Sequence, residues 1–335
     1  MKILIDAMSG DNAPLEIIRG AAMAAAAYDC EIMLIGDEDT IVNLASENNI
    51  EINRSNIKLV HSSSVISMED APLSVVREKS DSSMAVGLKM LAAGEGDAFV
   101  SAGNTGALYA GATLIVRRIK GVKKAAIATV IPFARPVLLL DSGANVELPA
   151  EAYVQLAQMG TIYMRSIFGI PSPEVGLLNI GAERTKGTKL LVEVYNMLEQ
   201  DPTINFKGNV EGKELPFGVC DVLVTDGFTG NIVLKLTEGV SSFLLSKIKE
   251  VFYSNLITKA SALFVKKGMT NLKNEYNSSQ YGGAPLLGIS RPVIKAHGSS
   301  DAEAIKNAVR QAIGYINTGI IYEIARLTVG DELGE

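Results

Sequence analysis

At 335 residues the chain is long enough for two domains of ordinary size or one large one. Its 47% hydrophobic and 20% charged residues describe a well-buried globular protein, and a net charge of −6 has the wrong sign for a dedicated nucleic-acid binder. Two cysteines, Cys30 and Cys220, and two histidines, His61 and His297, are too few for a disulfide framework, a multi-cysteine zinc site or a His-rich metal centre.

The predicted elements alternate along the chain. Lys2–Asp6 is a short apolar strand that turns polar too soon for a secretory signal, and no apolar run reaches the ~18 residues that span a bilayer. Pro14 then opens a helix in which Leu15, Ile17, Ile18, Ala21, Ala22 and Ala25 recur at helical spacing. Strands are expected at 31–36 and 57–61, around a helix at 40–47. A helix at 81–94, a strand at 98–101 and a helix at 104–117 follow. Residues 125–131 and 137–140 read as adjacent strands joined at Pro132-Phe133. The pattern continues with a helix at 149–168, a strand at 175–180, a helix at 188–198 and a strand at 219–225. A long helix is expected from about Asn231, and one helix over 302–327.

Strands that alternate with helices imply a three-layer α/β protein with a mostly parallel sheet covered on both faces. No fixed-period repeat and no Gly/Ser- or Pro-rich linker divides the chain, so residues 1–335 read as a single extended unit with a helical subregion at 240–280.

Ligands of such sheets bind beyond the carboxyl ends of the strands. The loops placed there by the pattern are rich in glycine and small polar residues: 6–11, 101–106, 141–145, 179–187, 225–231 and 297–301. Glycine admits a ligand close to the backbone, and free N–H groups at helix starts favour anions. The same residues also make ordinary turns and caps. Six such loops on one edge favour an anionic-ligand site, and Lys186 adds a positive charge there. The phosphate loop of nucleoside triphosphatases, a dinucleotide fingerprint after the first strand and the serine-hydrolase elbow are all missing.

The segment Asp6-Ala7-Met8-Ser9-Gly10-Asp11-Asn12-Ala13-Pro14 resembles the N-terminal signature of the bacterial phosphate acyltransferases of phospholipid synthesis. Residues 101–108, 140–145, 179–187, 224–235 and 281–300 match the same family at consistent spacing, although Ser9 stands where the family usually has glycine. The resemblance implies transfer of a fatty acyl group from acyl–acyl-carrier-protein to inorganic phosphate, with no cofactor and no metal. It also implies a homodimer and a fold similar to phosphotransacetylases and isocitrate dehydrogenases. A cytoplasmic enzyme in peripheral contact with the inner face of the cell membrane would pass its acyl-phosphate to a membrane acyltransferase.

Within that reading Lys186 and Asn231 are the expected catalytic groups, neutralising and donating to the phosphate or the oxyanion. His297 is a candidate proton donor to the departing thiolate, against a purely local hydrogen bond in its turn. Ser101, Gly103, Asn104, Thr105, Gly106, Asn145, Gly181 and Gly230 are expected to cradle phosphate and thioester. Arg117, Arg118, Lys120, Lys123 and Lys124, five cations within eight residues, suit an acidic carrier protein, although a solvated turn would look the same. Phe252, Leu256, Leu263 and Phe264 fall on one helical face ringed by lysines, as in an interfacial helix, and equally as in a core or dimer seam. Two other readings stand beside this one: a dehydrogenase of the isocitrate type, and a non-catalytic acyl-carrier or lipid-binding protein.

Overall fold

The computed structural model describes residues 1–255, 258–259, 261, 264–265, 267–269 and 281–329. Strand β1 (Lys2–Asp6) is apolar at its centre, Ile3 to Ile5, because it lies in the middle of a parallel sheet. It pairs with β2 (Glu31–Gly36) on one side and β4 (Ala98–Ser101) on the other, and β3 (Ile57–His61) lies beyond β2. Side chains alternate between the two faces. Ile3 and Ile5 enter one core with helices α1 (Leu15–Ala27) and α2 (Glu38–Glu47), while Leu4 enters the other with α3 (Ser83–Ala93) and α4 (Thr105–Gly111). A single turn of π-helix at Ala112–Val116 extends α4.

The chain then changes sheets. β5 (Ala126–Ile127) belongs to the first sheet, whereas β6 (Thr129–Pro132) forms an antiparallel hairpin with β7 (Pro136–Leu140) in a second. The expected strand over 125–131 is therefore two short strands in different sheets, and the one expected sheet is two. Beyond α5 (Ala150–Phe168), β8 (Glu174–Asn179), α6 (Lys189–Gln200), β9 (Asn205–Glu211) and β10 (Val222–Val224) complete the second sheet in the order β6-β7-β10-β8-β9. Leu138, Leu140, Val222 and Val224 face a core built on α5 and α6; Val137, Leu139 and Leu223 face the opposite side.

Helix α7 (Gly227–Phe252) starts four residues before the sequence suggests. Asp226 caps it by accepting from Thr229 N at 2.7 Å, and two glycines in its first turn disguise it as loop. Strands β11 (Ala284–Leu287) and β12 (Val293–Lys295), not foreseen, extend the first sheet to β3-β2-β1-β4-β12-β11-β5. The last expected helix is two, α8 (Ala302–Asn317) and α9 (Ile320–Val329), broken where Gly319 takes φ +66°. The α/β class with mainly parallel strands holds; among the described residues no helix is long and apolar enough to cross a membrane.

Candidate functional site

At the carboxyl edge of the first sheet, three loops meet. The β1 loop joins the β12 loop through Asp11 N–H to Gly298 O (2.8 Å) and Asn12 Nδ2 to Ser299 O (3.1 Å). Asp6, wholly buried, accepts from Ser83 Oγ at 2.6 Å and Ser101 Oγ at 2.8 Å. Burial pushes its carboxyl above the usual range, and these hydroxyls pull the other way. Ser101 Oγ also accepts from Gly103 N at 3.1 Å. Its hydroxyl, expected to meet substrate, is thus spent on shaping the loop.

Asn104 is similarly committed. Its Oδ1 caps α4 through Ala107 N (3.1 Å), and its Nδ2 donates to the carbonyls of Ser67, Met68 and Asp70 at 3.1–3.2 Å. With Gly103 N–H given to Ser101 Oγ, what the loop offers a ligand is the backbone N–H of Asn104, Thr105 and Gly106, with the half-buried Thr105 side chain beside them.

The second sheet repeats the device with different donors. Asp141, buried at the end of β7, accepts at Oδ1 from the N–H groups of Ile127 (3.2 Å), Gly143 (3.0 Å) and Ala144 (3.0 Å). Its Oδ2 accepts from Asn145 N (2.7 Å) and Nδ2 (2.8 Å). Burial raises this carboxyl's pKa as well, opposed by the same N–H groups. Asn145 Nδ2 also donates to Ala125 O at 2.7 Å, and Tyr109 of α4 places its hydroxyl 2.9 Å from Asn145 Oδ1. The amide of Asn145, expected to bind phosphate, is therefore fully engaged inside the fold.

Helix α7 presses its first turn onto this loop. Gly227 N–H donates to Asn145 O at 2.7 Å, and a side chain at Gly230 would put its Cβ 1.9 Å from Asp141 O, so only glycine fits. Gly230 is thus a packing residue. It places Asn231 against the 141–145 loop, 3.5 Å from where a Cβ on Gly143 would stand. The Asn231 amide makes no hydrogen bond with the described residues, the opposite of Asn104 and Asn145.

Lys186 sits on the loop after β8, the strand next to β10. That loop is tied by Asn179 Nδ2 to Lys186 O (3.1 Å) and to Asn209 Oδ1 (3.0 Å), and by Asn209 Nδ2 to Glu183 O (2.8 Å). Gly181 lies buried beneath it, packed on Glu183 and the Lys186 stem. The ammonium is half exposed, 3.9 Å from Glu183 Oε1, and shares an edge with Asn231 without bonding to it. His297 is exposed on the β12 loop. Its Nδ1 accepts from Ser299 N (3.3 Å) and lies 2.9 Å from Ser299 Oγ, so a neutral ring carries its proton on Nε2. The local hydrogen bond is present, and Nε2 stays uncommitted.

The cationic segment runs from the π-turn to β5 and ends beside Ala125, the carbonyl shared by Tyr109 and Asn145. Two of its members are engaged: Arg118 donates to Lys123 O, and Lys123 lies 3.9 Å from Glu151. Arg117, Lys120 and Lys124 form no ion pair with the described residues. Of the expected membrane stripe, Phe252 is half-buried at the end of α7 and Phe264 is 90% exposed; Leu256 and Leu263 lie outside the described residues. The helix leading to them is bare, with Phe228, Ile232, Leu236, Phe243 and Val251 all exposed. Cys30 and Cys220 are both buried, and burial pushes the Cys220 thiol up to about 12, which removes it as a nucleophile. Two surface depressions, one around Arg291 and Tyr315 and one around Lys2 and Lys58, lie at the amino edge of the first sheet, away from these loops.

A model of the family described as "Fatty acid synthesis protein" matches residues 1–323. The phosphate acyltransferase of Alkaliphilus oremlandii is 44% identical over 335 residues, 99% of this chain and 99% of that one. The chain belongs to the phosphate acyltransferase family. Another member, from Clostridioides difficile, is 42% identical over 97% of this chain and 95% of its own. Among solved structures, a phosphotransacetylase from Streptococcus pyogenes superposes with a TM-score of 0.66 at 16% identity, covering 95% of this chain and 94% of that one. A 4-hydroxythreonine-4-phosphate dehydrogenase from Klebsiella pneumoniae does so with a TM-score of 0.55 at 12% identity, covering 94% and 99%. At such identities the fold alone is shared. Family membership makes the chain an acyltransferase and sets aside both the dehydrogenase and the non-catalytic binder.

Proposed function

We propose that this acyltransferase moves a fatty acyl group from acyl–acyl-carrier-protein to inorganic phosphate, forming acyl-phosphate for phospholipid synthesis. The observation that supports it best is the division of labour along the carboxyl edge. Asp6, Ser101, Asn104, Asp141 and Asn145 spend their polar atoms on the loops themselves. The Asn231 amide and the backbone N–H groups of Asn104, Thr105 and Gly106 are left for an anion, and the half-exposed Lys186 ammonium, 3.9 Å from Glu183 Oε1, adds positive charge at the carboxyl edge of the second sheet.

A phosphate oxygen attacks the thioester carbonyl carbon, whose oxygen takes up negative charge. Collapse of this tetrahedral intermediate breaks the carbon–sulfur bond and releases the thiolate, which then takes a proton. Phosphate near neutral pH is already largely dianionic, its second pKa being about 6–7 by comparison with phosphomonoesters, so no strong base is needed. A thiol with a pKa of roughly 8.5 is a good leaving group. The protein's work is to hold phosphate in line and to stabilise the oxyanion. Lys186 and Asn231 supply charge and a donor, and His297 is the proton source in its protonated form, with Nδ1–H donating to Ser299 Oγ and Nε2–H passing its proton to the thiolate.

Acyl carrier proteins are acidic, and Arg117, Lys120 and Lys124, without an ion pair among the described residues, offer them local attraction on a chain that is net negative. The bare face of α7 suits a second copy of the chain, as a homodimer, while the exposed Phe264 suits the cytoplasmic face of the membrane, where a membrane acyltransferase would take up the product. The direct test is thiol release from palmitoyl–acyl-carrier-protein. It should require phosphate and saturate with it; release independent of phosphate would contradict this function.

A further inference from the structure

Lys295 takes no part in the roles assigned so far, yet it occupies the middle of the first-sheet edge. It is the last residue of β12 and pairs in register with Ser101 on β4. β4 in turn pairs with β1 up to Val100 opposite Ile5, one residue short of Ser101 and Asp6. Asp6, Ser101 and Lys295 therefore form one row across three adjacent strands, beneath the loops that meet there. Lys295 Nζ donates to Ala296 O and lies 3.4 Å from Ala102 O, the residue between Ser101 and Gly103. Ser9, from the β1 loop, packs so close to Gly103 that a Cβ there would stand 2.6 Å from the Ser9 Cβ, and its enclosed hydroxyl makes no hydrogen bond of ordinary geometry with the described residues. The 101–106 loop is thus held from below twice, by Ser101 Oγ at the Gly103 N–H and by an ammonium at the Ala102 carbonyl.

We propose that Lys295 is a positioning residue of the phosphate site: its ammonium fixes the Ala102 carbonyl and sets a positive charge behind the loop whose N–H groups receive inorganic phosphate. This rests on the phosphate-transfer reading above. An apolar residue could fill the space but could neither bond the two carbonyls nor raise the potential over the loop. Burial lowers the Lys295 pKa to about 8, against the pull of Asp11 and then Asp6. Among the described residues those two carboxylates are the charged groups that act on it, and His297 lies two residues on in its own loop. The charge is therefore present at neutral pH and lost as the pH rises through about 8.

The test is calorimetric titration of the full chain with inorganic phosphate between pH 7 and 9, for wild type, Lys295→Met and Lys295→Arg. Wild-type affinity should fall as the pH passes about 8, above phosphate's own second ionisation of about 6–7. Lys295→Met should bind about tenfold more weakly at pH 7 and show no such fall, the scale of one charge-assisted contact. Lys295→Arg, whose charge persists, should bind through pH 9 without the fall. In turnover, Lys295→Met should raise the KM for phosphate and not that for the acyl donor. A rise confined to the donor would assign the charge to the acyl donor and not to inorganic phosphate, and overturn the proposal. So would wild-type affinity in Lys295→Met, or a wild-type pH profile in Lys295→Arg, which decides the matter should the methionine variant not fold. Unchanged variants of an enzyme that makes acyl-phosphate would sink this inference alone. A wild type that neither binds phosphate nor makes acyl-phosphate would sink the function with it.

Discussion

The hydroxyl of Tyr109 lies 2.9 Å from Asn145 Oδ1 and 3.2 Å from Ala125 O, so one phenol joins a helix of the first sheet to the loop that ends β7 in the second. Burial raises the pKa of this phenol, and the Asp141 carboxylate adds to the effect, so it stays protonated and able to donate. Tyr109→Phe removes the donor and leaves Asn145 Oδ1 without it. We expect a loss of about 1 kcal/mol in denaturant unfolding and a larger proportional loss of turnover. Equal turnover with unchanged stability would show that the two loop clusters need no such tie.

The two buried carboxylates differ in what surrounds them, and their amide variants should differ accordingly. Asp6 is held chiefly by serine hydroxyls, which can reverse and accept from an amide. Asp141 is held by backbone N–H groups and an amide NH₂, which cannot. Asp141→Asn should cost about 2–4 kcal/mol, and Asp6→Asn less than about 1.5 kcal/mol. The raised pKa of Asp6 means that folding at neutral pH disfavours its charged form. Wild type then gains stability as the pH falls through the folded pKa toward the unfolded one, and the loss caused by Asp6→Asn should grow in the same direction. Thermal melts between pH 4 and 7 check both statements; equal losses for the two variants would refute them.

Much of this arrangement was legible in the sequence, and what was hidden has a physical reason. The alternation of apolar runs located β1, β4, α5 and the loops after them, because burial on both faces of a parallel strand leaves a continuous apolar signature. The roles within the loops were harder to read. An asparagine in a glycine-rich loop looks the same whether its amide faces a ligand, as Asn231 is free to do, or is spent on the loop's own backbone, as with Asn104 and Asn145. Asp6, Asp141 and Tyr109 became visible only through partners distant in the chain, such as Ser101 Oγ at Asp6, 95 residues away. The first turn of α7 read as loop because Gly227 and Gly230 answer to a close approach by the 141–145 backbone, which local propensity does not record.

Lys186 and Asn231 should matter to the reaction and little to the fold, since Lys186 is half exposed and the Asn231 amide makes no hydrogen bond with the described residues. Lys186→Ala and Asn231→Ala are each expected to cut turnover by roughly 10- to 100-fold with near-normal melting temperatures. Wild-type turnover at saturating phosphate in either variant would remove that residue from the site.

The unpaired cations can be tested without touching the tied ones. Lys120→Glu with Lys124→Glu should slow association with acyl carrier protein at low salt and flatten its salt dependence. Identical rates and salt slopes in stopped flow would mean the carrier docks elsewhere.

Phe264 is 90% exposed on the segment beyond α7. Phe264→Glu should release the protein from anionic vesicles in a flotation assay while leaving activity in solution intact. Undiminished binding would move any membrane contact to another surface.

The central claim is transfer to inorganic phosphate at the joined loop edge. The most direct measurement mixes the full chain with palmitoyl–acyl-carrier-protein and radiolabelled phosphate, then follows label in an acid-extractable acyl-phosphate alongside free thiol. One labelled acyl-phosphate should form for each thiol released, with both slowed together in Asn231→Ala. Thiol released with free palmitate and no labelled acyl-phosphate would contradict the account.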